Sequence, residues 1–140
     1  MESLRSGTIG AVQLHEPYAE ILIKEGGCML YDQAQRGLCS YTSLYTDRSM
    51  LNERSYEMQL ITNAIAASLK WIHGNEPGDI ASAVKPFFNN FSEEILASAI
   101  QRYKNNGIWN KHPTLSTEGF ERLRSALLTG GLISRIIPYD

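Results

Sequence analysis

Four side chains that could bind a small molecule lie close together early in the sequence, at Gln13, His15, Glu16 and Tyr18. The carboxylate of Glu16 can accept hydrogen bonds from a ligand amine or amide, and the ring of Tyr18 can stack on a ligand ring. They fall where a predicted strand gives way to a predicted helix, and ligands of α/β folds gather at the carboxyl ends of strands. We therefore predict a ligand-binding site at these four residues. A second interpretation stays open, in which Glu16 only caps the helix that follows it.

The other reactive side chains form no pattern that is typical of catalysis or metal binding. The histidines His15, His73 and His112 are not spaced in a known metal-ligand pattern. The sequence contains no G-x-S-x-G motif, no H-E-x-x-H motif and no phosphate-binding glycine loop. Gly26-Gly27 ends a predicted helix, whereas a phosphate site would need glycines that open one. We predict no catalytic residue, no metal site and no cofactor.

The two cysteines, Cys28 and Cys39, are too few for a disulfide framework and lack zinc-finger spacing. We expect both to be buried free thiols, as isolated cysteines usually are. A disulfide between them would need an oxidising compartment, and the sequence leaves their pairing open.

Length and composition favour one globular domain that has no membrane span and does not bind nucleic acid. The chain has 140 residues, of which 43% are hydrophobic and 20% charged. Its net charge of -2 argues against a nucleic-acid-binding protein, which normally carries a basic excess. No apolar run approaches the ~20 residues of a membrane span. The first seven residues contain no apolar segment, so they are not predicted to form a signal peptide.

The part of the sequence up to about residue 50 is predicted to mix strands and helices. Short runs rich in β-forming residues indicate strands at 8–14, 28–31 and 41–46. Pro17 suits the first turn of a short helix, which Gly26-Gly27 should end. A last extended segment or strand is predicted at 132–137.

Four helices are predicted from residue 52 onward. The first carries an apolar stripe wide enough for a well-buried helix, with members at steps of three and four residues. Pro77 suits the first turn of the second helix. Ser92 and Ser116 are the predicted N-caps of the third and fourth, which Gly107 and Gly130-Gly131 should end. The stripe of the first helix consists of Met58, Ile61, Ile65, Leu69 and Ile72.

The order of these segments resembles a family of bacterial solute-binding proteins. The family serves importers of nitrate, taurine and alkanesulfonates, and it shares its domain with binding proteins for thiamine-pyrimidine precursors. One departure is Gly10, which stands where the family usually has an aspartate. The matching segments include Ser6–Val12, Glu16-Pro17-Tyr18, Lys70–His73, Asn75-Glu76-Pro77, Ser92–Leu96, Arg102-Tyr103, Gly107-Ile108-Trp109, Pro113, Leu115-Ser116, Glu118-Gly119-Phe120, Gly131-Leu132-Ile133 and Pro138-Tyr139-Asp140.

The resemblance implies a helix-rich α/β chain that forms part of a type II periplasmic-binding-protein fold. The chain would be the carboxyl-terminal half of such a protein and one structural unit overall. Residues 1–50 would complete the second lobe and cross the hinge, and residues 51–140 would return to the first lobe as helices. The implied function is the solute-binding component of an ABC importer, without catalysis. Its solute would be a small sulfonate, nitrate or a pyrimidine, and its location would be extracytoplasmic.

The resemblance also implies partners, and two other functions stay open. The partners would be the missing amino-terminal half and an ABC permease. Because the helical faces would lack the sheet that they cover in the family, we also expect a homo-oligomer. The first alternative function is an enzyme of thiamine-pyrimidine biosynthesis. The second is a sensor or interaction domain that is not part of a transporter.

Overall fold

A computed structural model of the chain describes residues 1–40 and 42–136. Within these residues the secondary structure consists of α helices joined by turns, loops and two short 3-10 helices. The 3-10 helices are Gln33–Arg36 and Lys85–Phe87. The α helices are α1 (Glu2–Arg5), α2 (Tyr18–Lys24), α3 (Arg48–Glu53), α4 (Ser55–Gly74), α5 (Pro77–Val84), α6 (Glu93–Asn105) and α7 (Thr117–Thr129).

No β-strand forms anywhere in residues 1–40 and 42–136, so only the helix-rich part of the predicted α/β class is confirmed. The strands predicted at 8–14 and 28–31 are wrong, and so is the described part of the strand at 41–46. At 132–137 only the strand alternative is wrong, within the described part. Tyr41 and Ile137 lie outside the described residues. A strand needs hydrogen bonds to a neighbouring strand as well as β-forming residues. These runs have no such neighbour among the described residues, and their apolar side chains are largely exposed, as at Leu30 and Leu44.

The starts of α5, α6 and α7 agree with the sequence prediction. The backbone N–H of Ile95 donates to Ser92 Oγ at 3.2 Å, and that of Gly119 donates to Ser116 Oγ at 3.2 Å. Pro77 occupies the first turn of α5. Each serine satisfies an N–H group that the helix itself leaves unpaired.

The predicted helix ends also form, through glycines that follow the last turn. Gly26 has a φ of 97°, which an L side chain rarely adopts, and its N–H donates to the carbonyl of Ile23 at 3.0 Å. The N–H of Gly27 donates to the carbonyl of Leu22 at 2.8 Å. This pair of bonds closes α2. The corresponding bonds follow α6 at Gly107 and α7 at Gly131.

The described chain divides into two compact units. The first unit comprises residues 1–33 and 72–109, and it contains the core. Helix α5 packs on α6, and α2 also contacts α6. The core cluster of this unit is Ile80, Ala81, Leu96 and Ile100, with Ile72, Val84, Phe91, Ala97 and Trp109 packed around it.

The second unit comprises residues 34–71 and those from 110 onward. Among its described residues no apolar side chain is buried. The prediction that the stripe of α4 is well buried is therefore wrong, because α4 has no buried residue and Ile61 is 45% exposed. The stripe is only partly covered, because Met58, Ile65 and Leu69 are half-buried and Ile72 packs against the core of the first unit. The predicted division at residue 50 concerns the lobes of a larger fold and stays a prediction.

The structure also places the two cysteines. Cys28 and Cys39 are free but exposed, so their predicted burial is wrong. The strand expected around Cys28 does not form, and Cys39 lies in a loop.

No helix within the described residues combines the length and the apolar character that crossing a membrane requires.

Candidate ligand-binding site

The start of helix α2 positions the predicted ligand-binding residues. Pro17 is the N-cap residue of α2 and is buried, and Leu22 in the middle of the helix is buried as well. These two residues seat α2 in the first unit. The segment that carries Gln13, His15 and Glu16 therefore leads directly into a packed helix.

Glu16 uses both of its carboxylate oxygens within the protein. Oε1 accepts a hydrogen bond from Nε of Arg102 at 2.7 Å, and Oε2 accepts one from the backbone N–H of Glu20 at 3.1 Å. The second bond satisfies an unpaired N–H in the first turn of α2, as a helix cap does. The side chain of Glu16 is 6% exposed. The carboxylate thus forms an anchor between α2 and α6.

Arg102 holds a second carboxylate beside the first. Its Nη2 donates to Oε2 of Glu20, whose side chain is 8% exposed. Burial by itself lowers the pKa of the Arg102 guanidinium. The hydrogen bonds and negative charges of Glu20 and Glu16 outweigh burial, so the pKa lies above its ordinary value. Arg102 therefore remains a cation between the side chains of Glu16 and Glu20.

Tyr103, the next residue of α6, lies close to Glu16 as well. Burial raises the pKa of its hydroxyl, and the negative charge of Glu16 raises it further. A hydrogen bond with the Glu16 backbone acts in the opposite direction. The ring packs edge-on against Trp109, with 5.5 Å between the ring centroids. Arg102 thus holds the side chain of Glu16 from α6, and Tyr103 lies beside it on the same helix.

An open groove of about 560 Å³ runs beside this ionic cluster in the first unit. It is bordered by the start of α5 at Pro77 and Gly78 and by the exposed side of α6. The carboxylates of Glu20 and Glu76 and the guanidinium of Arg102 line the groove. The amides of Gln101 and Asn105 and the hydroxyl of Ser98 line it as well. Carboxylates outnumber the single cation there, so the groove disfavours an anion such as a sulfonate.

The other predicted site residues have freer side chains. Gln13 and His15 are exposed. Tyr18 is 49% exposed, and one edge of its ring packs against Phe91 with 5.3 Å between the centroids. The structure thus brings the four residues onto one short segment, with Glu16 turned inward and Gln13 and His15 outward. That this segment binds a ligand stays a prediction.

Sequence reasoning missed Arg102 and Glu20 as members of the cluster. Glu16 and Glu20 stand four residues apart where α2 begins, a spacing that can bring two carboxylates close together and favours a cation beside them. The cation comes from 82 residues further along the chain, a pairing that this spacing does not reveal. Among residues 1–40 and 42–136, no three His, Cys, Asp or Glu side chains come together as a metal site.

Comparison with known proteins gives one similarity that bears on function. No protein-family model matches the chain, and no solved structure matches it. A Bacillus subtilis (strain 168) protein named "Putative binding protein YtlA" is 28% identical over 137 residues, which is 96% of this chain. The chain spans 41% of the length of that relative. The similarity supports a binding role.

Proposed function

We propose that this chain is part of the solute-binding component of an ABC importer for a small sulfonate, nitrate or pyrimidine-type solute. The observation that carries the proposal is the similarity to a binding-protein relative along 96% of the chain. The resemblance of the ordered segments, from Glu16-Pro17-Tyr18 to Gly131-Leu132-Ile133, supports the narrower class.

The share of the relative that is matched supports a protein of more than one part. The chain spans 41% of its relative, as expected for one half of a two-lobed type II periplasmic-binding-protein fold. In this proposal the chain supplies the carboxyl-terminal half, and a longer polypeptide supplies the other half. The protein works outside the cytoplasm and delivers its solute to an ABC permease. Closure of two lobes on the solute would change the surface that the permease meets.

The solute-facing groups of this half are the side chains of Gln13 and His15, with the exposed edge of Tyr18. The amide of Gln13 and a ring N–H of His15 can donate hydrogen bonds to the oxygens of a sulfonate or nitrate. The Tyr18 ring can stack on a pyrimidine. The groove beside Arg102 is not the proposed site, because its carboxylates would repel these anions.

Titration of the 140-residue chain, followed by residue-resolved NMR, tests the proposal. The solutes are nitrate, taurine, an alkanesulfonate and formyl-aminopyrimidine, with sodium chloride at the same ionic strength as the control. Since half a cleft encloses only part of a solute, we expect weak binding, with a dissociation constant on the order of 1 mM. At least one solute should shift the amide signals of residues 13–18 to saturation.

Two variants place the binding on named side chains. Gln13→Ala and His15→Ala should abolish saturation, whereas His112→Ala, at an exposed histidine elsewhere, should leave it intact. If no solute produces a saturable change beyond that caused by sodium chloride, the proposed function is wrong. Turnover of a phosphorylated vitamin precursor would point instead to the enzyme alternative.

A further inference from the structure

We propose that Arg102 is a positioning residue that fixes the segment carrying Gln13 and His15, and that it acts through the carboxylate of Glu16. The inference rests on the proposed function, and it assigns different roles to neighbouring residues of the same site. Glu16 is an internal anchor. Gln13 and His15 are the groups that meet the solute.

The geometry of Glu16 excludes it from direct contact with a solute. Both of its oxygens have donors within the protein, at 2.7 Å from Arg102 and 3.1 Å from the Glu20 backbone. Its side chain is 6% exposed. A solute that reached this carboxylate would have to break a part-buried charge-assisted hydrogen bond, and charge-assisted bonds are among the stronger hydrogen bonds in proteins. Gln13 and His15 face no such barrier, because they are exposed.

Helix α6 is a well-packed platform for this anchor. Leu96, Ala99 and Ile100 bury one face of the helix in the first unit. Arg102 follows directly, and it holds Glu16 by its side chain. A segment held at its end in this way has less freedom to lose when a ligand binds, and pre-organisation of that kind raises affinity.

The chain offers a matched control for the role of Arg102. Lys24 and Glu94 also link α2 to α6, through an ion pair of 2.6 Å. This pair is more exposed and does not touch residue 16. Losing it should loosen the contact between the two helices without releasing the segment. A second comparison lies within the cluster, because Glu20→Gln changes the other carboxylate and leaves the bond from Arg102 to Glu16 in place.

The test measures backbone mobility and solute affinity in the same 140-residue proteins. Arg102→Lys keeps the positive charge but cannot donate to two carboxylates in the fixed geometry of a guanidinium. We expect the heteronuclear NOE of residues 13–16 to fall in Arg102→Lys and to stay unchanged in Lys24→Met and Glu20→Gln. The dissociation constant of the bound solute should rise about tenfold in Arg102→Lys only. The reason is that solute binding must then order a segment that Arg102 no longer holds.

A double variant separates positioning from direct contact. Glu16→Gln should weaken binding about as much as Arg102→Lys, and combining the two should add nothing, since they break one shared interaction. Equal affinity of wild type and Arg102→Lys, or additive losses in the double variant, would overturn the inference while the proposed function survives. If wild type binds no solute at all, the proposed function fails and this inference fails with it. All affinities are measured at least 15 °C below the melting temperature of each variant, so that a fall in stability cannot imitate a loss of binding.

Discussion

Removing the guanidinium of Arg102 should destabilise the first unit more than any other single substitution of a partly exposed side chain. Arg102→Met keeps a flexible side chain of similar reach but leaves the carboxylates of Glu16 and Glu20 without their cation. These side chains are 6% and 8% exposed, so water replaces little of the lost interaction. Breaking a buried ion pair on one side costs about 3–5 kcal/mol. Because Arg102 itself is 29% exposed, we expect a loss near the lower end, about 3 kcal/mol.

Urea unfolding followed by circular dichroism at pH 7 measures this loss. The control Lys24→Met removes a more exposed ion pair between the same two helices, so it should cost clearly less stability than Arg102→Met.

Two results would refute the reasoning on the cluster. One is a deficit of less than about 1 kcal/mol for Arg102→Met at pH 7, which is the range of an exposed ion pair. The other is a deficit that Lys24→Met matches. That outcome would assign the loss to the general contact between α2 and α6 and not to the pairing of Arg102 with two carboxylates.

Three further predictions concern a helix start, a titrating cap and assembly. Ser92→Ala should cost about 1 kcal/mol in urea unfolding, because it removes the acceptor for the N–H of Ile95. The pKa of Asp47 is lowered, mainly by the hydrogen bond from the Met50 N–H and also by that from the Ser49 side chain. Asp47 therefore stabilises α3 at pH values above the pKa that it has in the unfolded chain. This stabilisation is lost as the pH falls through the pKa of Asp47 in the folded protein. The Met50 amide signal should report that loss, and Asp47→Asn should abolish it. Light scattering at high concentration should give a mass above 15.7 kDa that Ile61→Gln reduces, because Ile61 is the exposed member of the stripe of α4. A strict monomer would refute the homo-oligomer.

Local signals in the sequence were sufficient to predict most helices and their ends. Ser92 and Ser116 cap the helices that they were predicted to cap, and Gly26 and Gly107 adopt the positive φ that ends a helix. These features depend on interactions within a few residues of the chain. Their prediction therefore does not require knowledge of the tertiary structure.

Features that depend on distant partners could not be predicted in the same way. The run at 8–14 has the residues of a strand, but a strand also requires a neighbour, and none pairs with it among the described residues. The apolar stripe in the sequence of α4 predicts which side of the helix would be buried. It does not predict whether another part of the chain covers that side. Within the candidate site, the four residues could be chosen from their chemistry. The inward turn of Glu16 depends on Arg102, which lies 86 residues away.

The central claim is that this chain forms one part of a solute cleft, and the affinity of one solute for two proteins tests it most directly. The first protein is the 140-residue chain, and the second is a fusion of this chain to the part of the Bacillus subtilis relative that it does not match. Calorimetry should give no submicromolar binding of nitrate, taurine, an alkanesulfonate or formyl-aminopyrimidine to the chain alone. The fusion, once shown to melt as one cooperative unit, should bind the same solute at least about 100-fold more tightly, since a complete cleft encloses most of its ligand. Submicromolar binding by the chain alone, or an unchanged affinity in the folded fusion, would contradict the claim.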